Sequence, residues 1–82
     1  MDEAEVKEKI RGIFEETFPE IKGQEFDWEK KQDSFENWDS FAHMEIVGKV
    51  EQAFGISLEI DEVITLEYPL KFVEIVLKKK GA

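Results

Sequence analysis

Apolar positions recur at spacings of three and four through residues 2 to 18, where Val6, Ile10, Ile13, Phe14 and Phe18 share one face of a helix. Asp2, Glu3 and Glu5 put negative charge in its first turn, and Pro19 stops the pattern. Residues 19 to 38 show no sustained period, and a loop this long is uncommon in a small domain unless it serves a function. Phe26, Trp28, Phe35 and Trp38 are expected to tack it onto the core. A second helix is predicted over residues 39 to 54, with Gly55 as its stop. Residues 56 to 60 alternate apolar and polar, but a lone strand would have no partner, so an extended segment is expected there. One short helical turn is expected over residues 61 to 66. The last helix takes Pro69 at its first position, turns Leu70, Phe72, Val73, Val76 and Leu77 inward, and closes with Lys78, Lys79, Lys80 and then Gly81. The predicted fold is all-α: a small four-helix bundle with a long first loop and a short third helix, forming one domain over residues 1–82.

The second helix has two contrasting faces. At about 100° per residue, His43, Ile46, Val47, Val50, Ala53 and Phe54 cluster on the expected core side. Phe41, Glu45, Gly48 and Gln52 fall opposite, with Met44 and Glu51 on the flank nearest Ser40. Two large apolar residues, Phe41 and Met44, beside Gly48 and among carboxylates suit a docking face, because Met adapts to varied surfaces. They also suit a loop folded over Phe41. Asp39 and Ser40 stand where the N-cap and first helical residue belong. A helix start offers free N–H groups and the positive dipole end, which favour a phosphate on Ser40.

Charge and composition narrow the field. The chain has 82 residues, 41% hydrophobic and 38% charged, with a net charge of −9. That is enough for one small domain and leaves little room for an enclosed active site, so a carrier or binding module is expected over an enzyme. The negative charge disfavours nucleic acid and anionic membrane and favours basic protein surfaces. No apolar run reaches the roughly 18 residues needed to span a bilayer, and no signal peptide is visible, so the expected compartment is the cytoplasm. The sequence contains no cysteine. Disulfides, thiolate metal sites and native thiol nucleophiles are thereby excluded, and any thiol chemistry must use a sulfur supplied by a cofactor.

The stretch Trp38-Asp39-Ser40-Phe41-Ala42-His43 resembles the Asp-Ser-Leu attachment motif of acyl carrier proteins, and more narrowly the Trp-Asp-Ser-Leu-Ala-His variant of stand-alone bacterial carriers. The likeness runs on through Val50-Glu51-Gln52-Ala53-Phe54-Gly55-Ile56 and Ile64-Thr65-Leu66, and the order of elements fits over the whole chain. The resemblance implies a 4'-phosphopantetheine arm on Ser40, installed by a phosphopantetheinyl transferase. The arm's thiol would hold acyl groups as thioesters for partner enzymes of fatty acid, polyketide or related biosynthesis. It implies docking of Asp39, Phe41, Met44, Glu45 and Glu51 onto basic patches of loading and processing enzymes. Ile46, Val50, Leu58 and Ile64 are the expected lining of an acyl pocket. A non-catalytic monomer is implied.

Two departures shift the expected pathway. Phe41 replaces the usual Leu, preserving an apolar role, while Gly48 and Lys49 dilute the acidic face and the segment from Asp61 to Pro69 is short. These features point from bulk fatty acid synthesis toward a dedicated pathway. The alternatives are an aminoacyl or peptidyl carrier using the same Ser40, and an unmodified interaction domain of the same fold. A hydrolase built on Ser40 is not supported, because no Gly-rich elbow surrounds it and the wheel turns His43 toward the core. An EF-hand starting at Asp27 fails, with Gln32 where Gly is needed and Trp38 where Glu is needed.

Overall fold

Asp2 starts the first helix: its side chain accepts the Glu5 N–H at 2.9 Å, satisfying one of the donors that every helix start leaves free. The computed structural model describes residues 2 to 81 and contains helices α1 (Glu3–Thr17), α2 (Ser40–Phe54), α3 (Ile60–Val63) and α4 (Pro69–Lys79), with no strand among the described residues. This is the predicted small all-α bundle. Residues 56 to 59 have no regular structure, and the short turn expected from residue 61 begins one residue earlier, at Ile60. The long loop holds two short 3-10 turns, Pro19–Ile21 and Gln32–Ser34.

Each helix end follows local chemistry. Asp39 caps α2 by accepting the Ala42 N–H at 2.8 Å, so Ser40 is the first helical residue. Gly55 closes α2 in the left-handed region, at φ 65°, where a side chain would be strained. Glu59 and Glu62 form a reciprocal capping box at the start of α3. Pro69 opens α4.

α1 packs against both α2 and α4. Its Val6, Ile10 and Phe14 are buried and meet Ile46, Val47, Val50 and Phe54 of α2 and Phe72, Val73 and Val76 of α4 in one core. Phe14 is the hub of an aromatic cluster, with ring centroids 5.2 Å from Trp38, 5.5 Å from Phe72, 6.0 Å from Phe26 and 6.1 Å from Phe35. Phe35 and Trp38 are buried, and Phe26 and Trp28 pack against the core edge, so the four loop aromatics act as the expected anchors. The inward face of α2 differs from the wheel at its two ends. Ala42 is buried, whereas Ala53 is exposed: its single methyl, in the last turn, does not reach the neighbouring helices.

Candidate functional site

Ser40 is exposed at the start of α2, with its neighbour Asp39 held by the Ala42 N–H. The amides of Ser40 and Phe41 occupy the first two helical positions, where a helix provides no acceptor of its own. Two free donors and the positive end of the helix dipole therefore lie at the helix start that carries the exposed Ser40, a field that favours a phosphate ester.

Phe41 is 81% exposed and Met44 is 52% exposed, so the loop does not fold over Phe41. The carboxylates expected beside them are drawn into internal contacts. Glu45 Oε2 lies 3.3 Å from Lys49 Nζ, which also reaches Glu16 of α1 at 3.0 Å. Burial of that ammonium works against its charge, but the Glu16 and Glu45 carboxylates outweigh it and lift Lys49 above its ordinary value. Glu51 is half-buried, and its Oε2 accepts the Leu58 N–H at 2.9 Å, tying the end of α2 to the segment before α3. Asp39 is committed to its cap. The surface around Ser40 is consequently more apolar and less free in charge than the sequence suggested.

The four expected pocket residues do not come together as a lining. Ile46 and Val50 are fully buried in the core, and Leu58 is half-buried against it. Ile64 is a correction: it is 71% exposed. Val63 and Leu66 take the inward positions around the short α3, which turns Ile64 to solvent. A cleft of about 540 Å³ opens instead in the long loop, bordered by Ile21, Phe26, Lys30 and Phe35, away from Ser40 and all four residues.

Sequence reasoning missed the exposed apolar side of the α3 turn. Ile60, 74% exposed, stands one turn before Ile64, so α3 presents two isoleucines outward just as α2 presents Phe41 and Met44. The spacing of four was visible but reads equally well as a core stripe. Also missed was the bonding of His43, which receives a hydrogen bond from Trp38 Nε1 at 3.0 Å and contacts the Val63 carbonyl oxygen through Nε2 at 2.9 Å. His43 thus joins the loop, α2 and α3, one turn from Ser40. Among the described residues no helix is long and apolar enough to cross a membrane. No known protein family, curated protein or solved structure matches this chain.

Proposed function

We propose that this chain is a carrier protein whose Ser40 receives 4'-phosphopantetheine from coenzyme A through a phosphopantetheinyl transferase. The observation that carries the reading is the placement of Ser40, within its Trp-Asp-Ser-Phe-Ala-His motif, as the exposed first residue of α2 in a four-helix bundle. The Ser40 Oγ–phosphorus bond forms as the pyrophosphate link of coenzyme A breaks; adenosine bisphosphate leaves and the hydroxyl proton passes to the transferase. The residues present suit such a group: the amides of Ser40 and Phe41 would face the phosphodiester, and the exposed hydroxyl leaves the arm free to reach solvent and partners. When attached, the arm supplies the thiol that a chain without cysteine lacks, and that thiol holds acyl cargo as a thioester.

Phe41 and Met44, exposed near the start of α2 with Ser40, form the apolar part of a partner surface, and Ile60 and Ile64 are a second exposed apolar pair, at the α3 turn. Glu45 and Glu51 contribute less free charge than expected, because Lys49 and the Leu58 amide engage them. Intact mass after incubation with coenzyme A and a broad-specificity phosphopantetheinyl transferase tests the reading. Wild type is expected to gain one pantetheinyl group and Ser40→Ala none. No gain in folded wild type, or an equal gain in the alanine variant, removes it.

A further inference from the structure

We propose that His43 is a proton-sensitive latch that holds α3 against the Ser40 end of α2, closed by the neutral ring and opened by the protonated one. The inference concerns the conformation of the bundle and stands apart from the carrier reading.

The two ring nitrogens of His43 face opposite kinds of partner. The indole of Trp38 is a donor only, so its Nε1–H donates to His43 Nδ1. A nitrogen that accepts carries no proton, so the single proton of the neutral ring sits on Nε2 and is donated to the Val63 carbonyl oxygen. One tautomer therefore satisfies both contacts. The ring lies nearly coplanar with Trp38, centroids 5.7 Å apart at 24°, and meets Phe72 of α4 edge-on at 6.0 Å. Val63 is the last residue of α3, so the Nε2 bond spans directly from α2 to the end of that helix.

Protonation breaks this arrangement. A hydrogen on Nδ1 would face the indole hydrogen, two donors across 3.0 Å with no acceptor between them. Relief of that clash by withdrawal of the ring carries Nε2 away from the Val63 carbonyl. The charged groups of the neighbouring elements are engaged elsewhere. On α2, the Asp39 carboxylate is held by the Ala42 N–H. On α3, Glu62 is bound to Lys79 at 2.8 Å and to the Glu59 N–H. On α4, Lys71 lies over the Tyr68 ring. In the loop, Lys31 and Asp33 share a cleft beside Trp38 with Glu67 and are exposed. Among the described residues no carboxylate pairs with the imidazole. Acid therefore favours the open form, and opening shifts the outward Ile60 and Ile64 relative to Ser40.

Amide hydrogen exchange, corrected for intrinsic rates, reads the latch at the α3 amides of Val63 and Ile64, which bond to the Glu59 and Ile60 carbonyls. From neutral to acidic pH their protection is expected to fall about fivefold, the effect of one net hydrogen bond, while Ile10 and Phe14 stay unchanged. His43→Gln keeps a donor near Val63 without titrating, so its α3 protection is expected to be flat across that range. His43→Ala is expected to be low throughout. Nitrogen NMR of the wild-type ring needs no variant and is expected to find the Nε2–H tautomer at neutral pH. An Nδ1–H tautomer, a flat wild-type profile, or the same acid fall in His43→Gln overturns the proposal.

Discussion

The long loop between α1 and α2 and the short α3 between α2 and α4 are both connectors, but buried rings dominate in the first and polar bonds in the second. The loop is fixed by rings: Phe35 and Trp38 are buried with their centroids 5.0 Å apart, and both pack on Phe14 and Phe18. Trp28 packs on Phe26 at 4.6 Å, and its carbonyl accepts the Leu70 N–H of α4. α3, with Val63 and nearby Leu66 as its buried apolar contacts, relies on polar bonds from its neighbours. His43 holds Val63, Lys79 holds Glu62, and Glu51 holds the Leu58 amide before the helix. Apolar anchoring is non-directional and carries no titration. Polar anchoring fails when a proton or a partner changes one group. The longer connector is therefore the more permanent, and the four-residue helix beside Ser40 is the adjustable one.

The largest expected effect comes from breaking the rings. Phe35 touches the cluster without touching His43, so Phe35→Ala tests the loop alone. Its loss is expected to destabilise the whole domain by about 3–5 kcal/mol, which lowers Tm by more than about 12 °C in a chain of this size. Thermal or denaturant unfolding checks it. A loss below about 1 kcal/mol would mean that the loop is not part of the cooperative core.

A smaller and more local effect is expected at Glu62. The Lys79 ammonium, and after it the Glu59 N–H, hold the Glu62 carboxyl below its ordinary value. A depressed folded value means that this stabilisation is fully present above the unfolded value, about 4.3, and is lost as pH falls through the folded one. α3 protection is expected to drop again in that acid range, and Glu62→Gln is expected to remove this limb while leaving the histidine limb in place. One merged limb that both substitutions abolish would show that the two polar ties act as a single unit.

The four helices were legible because their signals are local. The three-and-four spacing of Val6, Ile10 and Phe14, the Asp39 cap, Gly55 and Pro69 each act within a few residues. The aromatic anchors were legible because large rings in a long loop must be buried somewhere. The surroundings of Ser40 were read less well. Ile64 faces outward, Glu51 turns inward and His43 bridges to a residue twenty positions on, all because of where α3 rests. A four-residue helix is too short to show a period, so its orientation leaves no trace in the hydrophobic pattern. One signal was available: Glu59 and Glu62, three apart, are the capping-box pair that starts α3.

The smallest effect sharpens the comparison most. Gly48 lies in the middle of α2, exposed, and a Cβ there would meet nothing within 4 Å. Gly48→Ala is expected to raise global stability by about 0.5–1 kcal/mol through helix propensity alone. Core amides such as Ile10 and Phe14, which exchange only when the whole domain unfolds, should then gain about twofold to fivefold in protection. If α3 opens by itself when its polar ties part, the Val63 and Ile64 amides should gain nothing, because the substitution touches none of those ties. An equal gain at α3 would mean that it opens only with the rest of the domain, and the contrast between a permanent loop and an adjustable helix would disappear.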